Sequence, residues 1–299
     1  MTLASCSVSQ NAPEPQIPTA IASNSILCDF TTAIAGATID LNCLIDPQQD
    51  PHTYTPKPSD RQALETAQLI LYGGYGFEIS LENLIETVDT QAPKVPVFEA
   101  AVTQPLQTEH HHHKTAETAA DPHVWLDVEN AIAIAKIIQN QLSTLNPDAA
   151  PTYQNQTTTL IADLERLDTW ITAQIATIPP QQRVLVTTHD AFNYFAQAYN
   201  FQEAVALQGL STEETPTAAQ VKALVATIKT AQVPAVFSEI KANDRAIATV
   251  AREANVKVAQ PPLLAGGLGN TASYADMMVT NTCAIVEGLG GDCQPLSRQ

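Results

Sequence analysis

The chain has 299 residues, enough for two domains of ordinary size. Hydrophobic residues make up 44%, so sizeable cores can be buried, but aromatics are only 5%, so Ala, Val, Leu and Ile must fill them. The formal net charge of -17 repels phosphate backbones and concentrates cations, which argues against a nucleic-acid partner. No apolar run is long enough to cross a bilayer.

Residues 1–23 read as a flexible N-terminal tether, rich in Gln, Pro, Ser and Ala after Cys6. Residues 24–150 alternate between strand-like and helix-like stretches. Strands are expected at 26–30 and 39–44, a helix over 61–70 running into an apolar stretch at 69–72, a helix at 82–87 and a strand at 95–98. Residues 151–180 carry one long helix. Leu160, Leu164, Leu167, Ile171, Ile175 and Ile178 recur at steps of three and four, Pro151 suits its first turn, and Pro179-Pro180 stops it. Such a helix spans about 40 Å, the width of a domain. From 181 to 299 the alternation resumes, with strands at 184–186, 204–207, 235–237 and 256–259 and helices at 191–199, 217–230, 245–254 and 274–287. The expected fold class is α/β: two lobes with parallel-type sheets and surrounding helices, joined by one long α-helix.

None of the five cysteines forms a C-x-x-C pair, so neither a thiolate zinc knuckle nor a redox motif is indicated. Cys28 and Cys43 sit in two expected strands that could be neighbours. Cys283 and Cys293 flank a C-terminal turn around Gly288, Gly290 and Gly291. Disulfides Cys28–Cys43 and Cys283–Cys293 would suit an oxidising compartment; the alternative is four free thiols in a cytoplasmic protein. Cys6 remains. It closes Leu3-Ala4-Ser5-Cys6, which resembles a bacterial lipobox and so implies lipidation at Cys6, although the basic and long apolar regions of a full signal peptide do not precede it.

Seven histidines are present. Four form the run His110, His111, His112 and His113, in a polar stretch. The other three are isolated in loop-like contexts: Asp50-Pro51-His52-Thr53-Tyr54, Asp121-Pro122-His123-Val124-Trp125-Leu126-Asp127 and Thr187-Thr188-His189-Asp190-Ala191. In open α/β sheets ligands gather at the carboxyl ends of strands. His52 follows the strand ending near Leu44, and His189 follows the strand at 184–186. If both lobes turn those ends to a shared cleft, neutral imidazoles from each could meet on one ion, and imidazole suits zinc.

These motifs, together with Thr55-Pro56-Lys57-Pro58-Ser59-Asp60, Asn193-Tyr194-Phe195, Ser211-Thr212-Glu213-Glu214-Thr215-Pro216-Thr217 and Phe237-Ser238-Glu239, resemble in order those of the metal-binding proteins of ABC importers for zinc and manganese. The resemblance runs from about residue 25 to 289. It implies two lobes bridged by a long helix, with His52, His123 and His189 as ligands of a Zn2+ ion. The chain would be an extracytoplasmic or periplasmic monomer that delivers zinc to the membrane permease of an ABC importer and meets the membrane only through a lipid anchor. Members of the zinc type carry histidine at the third ligand position, where manganese-type members usually carry glutamate. Many members place an aspartate where Gly266 stands here, so three histidines completed by water or another exogenous ligand are expected. The run at 110–113 resembles a low-affinity histidine-rich metal loop. By resemblance or proximity, Asp121, Asp127, Asp190 and Glu239 are candidates to hold the ligand rings, and Trp125 to pack beside them. Manganese binding is the first alternative. A zinc-dependent hydrolase is another, since three histidines and a water also make a catalytic site, but no H-E-x-x-H motif or plain general base accompanies them. A surface adhesin with incidental histidines is the third.

Overall fold

The computed structural model describes residues 17–112, 115–212, 215–240 and 244–297. The proposed lipidation site, Cys6, lies outside the described residues. No helix among the described residues is long and apolar enough to cross a membrane.

The first lobe is built on β1 (Thr19–Ala22), β2 (Asp40–Cys43), β3 (Leu69–Tyr72) and β4 (Lys94–Pro96), all parallel in the order β2-β1-β3-β4. Two expectations are corrected here. Residues 19–22, read as part of the tether, form an interior strand, with Ala20, Ile21 and Ala22 buried. Residues 26–30, read as a strand, lie in helix α1 (Ser25–Ala35). Asn24 decides the matter: its side chain accepts from the backbone N–H of Ile26 and Leu27, both at 3.1 Å, and starts a helix whose Ile26, Leu27, Phe30 and Ile34 share a buried face. The disulfide Cys28–Cys43 therefore joins a helix to a strand, not two strands.

Helices α2 (Pro58–Thr66), α3 (Ile79–Thr87) and α4 (Val97–Ala101) complete the crossovers of this sheet. A hairpin of β5 (Gln107–His112) and β6 (Thr115–Ala120) follows. Next comes α5 (Val128–Leu145), an element the sequence reading did not separate out. Its signal is present: Val128, Ala131, Ile134, Ala135, Ile138 and Leu142 recur at helical spacing and are buried. Asp127 caps it by accepting from the Glu129 N–H at 2.8 Å.

The long helix α6 runs Ala150–Ile175, 26 residues, with Leu164, Leu167, Ile171 and Ile175 buried as the spacing requires. It packs on α1 and α5 of the first lobe and on α10 (Tyr274–Gly288) of the second, so it spans both. The second lobe pairs β7 (Val184–Thr187) with β8 (Glu203–Ala206), and β9 (Ala235–Glu239) with β10 (Lys257–Leu263), both pairs parallel, with β7 against β9. Helices α7 (Asn193–Ala198), α8 (Ala218–Ala231) and α9 (Asp244–Ala254) connect them. The disulfide Cys283–Cys293 folds the C-terminal segment back on α10.

One apolar cluster runs through both lobes. The lobes are also joined by polar contacts: Tyr274 Oη donates to the Trp125 carbonyl at 2.6 Å, the Leu106 N–H to Tyr194 Oη at 2.9 Å, and the Gly269 N–H to the Pro47 carbonyl at 3.1 Å. Within the first lobe, buried Glu78 ties the ends of β1 and β3 together. One of its oxygens accepts from Ser23 Oγ, from the Gly73 N–H at 2.8 Å and from Asn24 Nδ2 at 3.4 Å. Burial raises its pKa to about 7, although the donors from Ser23 and Gly73 pull the other way.

Two outcomes follow from these features. Replacing Cys28 and Cys43 together by Ser opens a crosslink with a sequence separation of 15. Denaturant unfolding should show a loss of about 3 kcal/mol from the freed chain entropy. Glu78 is neutral in the folded protein up to about pH 7 but ionises near 4.5 once unfolded. Its contribution is therefore complete below 4.5 and lost as pH rises through 7. Glu78→Gln should remove roughly 2–3 kcal/mol of the stability difference between pH 5 and pH 8, measured on metal-free protein.

Candidate metal site

All but one of the elements at the site reach it from the carboxyl end of a parallel strand. His52 lies on the short turn Pro51–Thr53 after β2, His189 two residues after β7, Glu239 at the end of β9, and Gly266 after β10. His123 is the exception. It precedes the turn Val124–Leu126 that leads from the hairpin into α5.

Each loop is held by its own side chains. Asp50 caps the His52 turn by accepting the His52 N–H at 3.1 Å. Downstream, Asp60 accepts from Tyr54 Oη and from the Lys57 N–H, both at 2.7 Å, and fixes the path of the loop. Asp121 accepts the His123 N–H at 2.9 Å, and its own N–H donates to Leu106 O at 2.8 Å, closing the base of the hairpin. Glu239 accepts the His189 N–H at 2.9 Å.

The three isolated histidines meet. His123 Nε2 lies 3.2 Å from His52 Nε2 and 3.3 Å from His189 Nε2, and all three ligand atoms fall within 4.8 Å of one another. Their side chains are almost sealed from solvent, with relative exposures of 8% for His52, 0% for His123 and 2% for His189. Two nitrogens bound to one zinc at 2.0–2.1 Å with tetrahedral angles sit about 3.3–3.4 Å apart. Both pairs that include His123 have about that spacing, and His52 and His189 lie within 4.8 Å of each other, so these residues could hold such an ion.

The other ring nitrogens carry the orientation. His123 Nδ1 is 2.8 Å from Asp121 Oδ1, and His189 Nδ1 pairs with the Glu239 carboxylate. This is the usual way a ligating histidine is aimed and its tautomer fixed. Asp121 Oδ2 accepts from Asn193 Nδ2 at 3.1 Å, and the same amide donates to Asp190 Oδ1 at 2.9 Å. Asp190 thus acts at one remove, through Asn193. Asp127, expected beside the ligands, instead caps α5. Trp125 is fully buried with its ring centroid 5.5 Å from that of His123, and it packs on Phe77 and Phe98 as well.

Burial lowers the pKa of His52 and His123 well below the ordinary histidine value, and the neighbouring histidines push the same way. His189 differs. Burial acts to lower its pKa, but Glu239, by charge and by hydrogen bond, with Asp50 and Asp190, raises it overall. Burial raises Asp121 to about 7.

Sequence reasoning did not single out Phe77, whose ring meets His52 edge-on at 5.1 Å, nor Asp50, Asn193 and Thr212. The last three lie inside the quoted motifs, so the signal was their position beside a ligand. For Phe77 there was none. Of the histidine run, His110, His111 and His112 fall on β5, opposite Glu117, Ala116 and Thr115 of β6. His113 lies outside the described residues.

Residues 21–288 match the family described as zinc-uptake complex component A, periplasmic (ZnuA). The chain is 33% identical over 274 residues to the manganese-binding lipoprotein MntA of Halalkalibacterium halodurans, covering 90% of this chain and 87% of that one. It is 32% identical over 274 residues to the manganese ABC transporter substrate-binding lipoprotein PsaA of Streptococcus mitis, covering 90% and 88%. The structure superposes on the periplasmic zinc-binding protein TroA of Treponema pallidum with a TM-score of 0.84 and 28% identity, over 92% of this chain and 99% of that one. The chain belongs to the ZnuA family, the extracytoplasmic metal-binding components of ABC importers.

Proposed function

We propose that the chain captures Zn2+ outside the cytoplasm, on His52, His123 and His189, and hands it to the membrane permease of an ABC importer. The observation that carries this reading is the convergence of the three buried imidazoles: His123 Nε2 lies 3.2 and 3.3 Å from the other two Nε2 atoms, spacings that fit tetrahedral zinc, and all three lie within 4.8 Å. An all-nitrogen protein donor set favours zinc over manganese, which prefers oxygen-rich octahedral sites. The net charge of -17 favours approach of a cation. A monomer bears all three ligands itself, and a lipid on Cys6 would hold it at the membrane.

A carrier fits better than a hydrolase. The three histidines are buried, and the cavity beside them has only about 10 Å³ of room for the centre of a water molecule. Manganese is the second reading, favoured by the names of the relatives MntA and PsaA. Zinc outcompetes manganese at nearly any such site, so the metal carried by protein isolated from its cells decides between them.

At zinc a hundredfold above its dissociation constant, binding should add about 2.7 kcal/mol to the unfolding free energy. His52→Ala, His123→Ala and His189→Ala should each abolish that gain, whereas deletion of residues 110–113 should leave one tightly bound ion per chain. Absence of any zinc-dependent rise in melting temperature would remove the reading.

Metal capture should also be proton-linked. In the metal-free protein Glu239, Asp50 and Asp190 outweigh burial and raise the pKa of His189, so it keeps a proton to higher pH than a free imidazole, and zinc must displace that proton. The proton's stabilising contribution is complete below the unfolded value near 6.5 and lost as pH rises through the folded one. Zinc affinity should therefore increase with pH across that window, by about tenfold per pH unit while one proton is released. Calorimetry in buffers of different ionisation enthalpy measures that proton, and Glu239→Gln should move the window to lower pH.

A further inference from the structure

Against His52 and His189 lies a small cavity whose lining also includes Asp50, Thr212, Leu264 and Gly266. Its room for a water centre, about 10 Å³, is close to what one water needs and well short of two. Asp50 comes from the first lobe and Thr212 from the second, and Thr212 Oγ1 donates to Asp50 Oδ2 at 2.6 Å. The other carboxylate oxygen accepts the His52 N–H. Each oxygen keeps a further lone pair, and no lysine or arginine lines the cavity to compete for it.

Gly266 forms part of the wall. Its φ is not in the left-handed region, so the backbone does not demand glycine. A Cβ there would meet Pro51 Cδ at 3.4 Å and Asp50 Oδ1 at 3.9 Å, ordinary contact distances. The absence of a side chain at 266 therefore relieves no clash. What it leaves is the room in front of Asp50.

We propose that Asp50 and Thr212 close the fourth coordination position into a niche for a single water, with Asp50 accepting that water's hydrogen bond. This inference rests on the three-histidine zinc reading and adds the determinant of what else the ion can hold. A metal in this site keeps one water and sheds every larger partner, so the protein takes the ion in aqua form and excludes chelates and polyatomic anions. The limit to one small exogenous ligand also enforces four-coordination, which disfavours ions that need six oxygen donors. Asp50 and Thr212 are positioning residues in this account: they touch the water and each other across the cleft, and do not bind the ion.

The test uses the full chain loaded with one Co2+ per molecule, whose visible spectrum reports the ligands, and azide as the probe. The variants are Asp50→Ala, Thr212→Val, which keeps the shape and removes the hydroxyl, and Thr212→Ser, which restores it. The wild-type and Thr212→Ser spectra should not respond to azide. Those of Asp50→Ala and Thr212→Val should shift, and both variants should surrender zinc to a chelator about tenfold faster than wild type. Unfolding midpoints of the metal-free variants show whether each is folded. An azide response in wild type equal to that of Thr212→Val, or none in either opened variant, overturns the niche while leaving metal capture intact. Failure of the wild type to bind one Co2+ or Zn2+ at all overturns both.

Discussion

Three imidazole nitrogens gathered out of water, with that of His123 within hydrogen-bonding distance of the other two, cannot all present lone pairs. Asp121 and Glu239 claim the Nδ1 protons of His123 and His189, so both Nε2 atoms point their lone pairs inward. At 3.3 Å two such lone pairs repel unless a positive charge lies between them. In the metal-free molecule a proton would supply it. His189, alone of the three in having its pKa raised, is the group that can carry this proton and donate it to His123 Nε2. A metal ion bound there would replace that proton and engage all three nitrogens at once. The same carboxylates that aim the rings therefore set the terms on which the ion enters.

The fold delivers this arrangement through strand ends. Parallel strands place their carboxyl ends on one edge, and each lobe turns that edge to the other. The loops after β2 and β7 then need only a few residues to reach the centre, and short capped loops hold a side chain more precisely than long ones. Asp50, Asp121 and Glu239 each accept a backbone N–H from the histidine they serve, so one carboxylate fixes both the loop and the charge around the ring. On the far side α6 packs on helices of both lobes. Tyr274, which begins α10, reaches the carbonyl of Trp125, whose ring lies against His123, so the second lobe also braces the ligand-bearing turn of the first.

The lobes, the long helix and most strands were legible because apolar spacing records burial, and burial dominates those elements. The failures have local causes. Residues 26–30 have strand composition, yet one asparagine at position 24 captures two backbone donors and starts a helix. Residues 19–22 sit beside polar and proline-rich sequence, and only pairing with both β2 and β3 makes them a buried strand. Helix α5 is hard to separate in the sequence because its apolar stripe is rich in Ala and Ile and begins directly after the motif that carries His123. At the site, the histidines could be named from their motifs, but not their meeting, which depends on contacts between residues 66 to 137 positions apart. Asp127 shows the opposite error: proximity in sequence suggested a role at the metal, and a helix N-terminus claimed the side chain first.

The division of the ligands between the lobes has a consequence of its own. His52 and His123 belong to the first lobe, His189 and its partner Glu239 to the second. Any motion that parts the lobes withdraws one imidazole and one carboxylate together. It also separates Asn193 from Asp121 and Thr212 from Asp50, and so loosens the support of the two imidazoles that remain. What is left is a two-nitrogen site open to water, where tetrahedral zinc would have to complete its shell from solvent. The buried carboxylates make the exchange easier still, because Asp121, raised to about 7 by burial, can take up a proton near neutrality as the cation leaves. A site that trades protons for a metal need not store the free energy of release anywhere but in the approach of its two lobes.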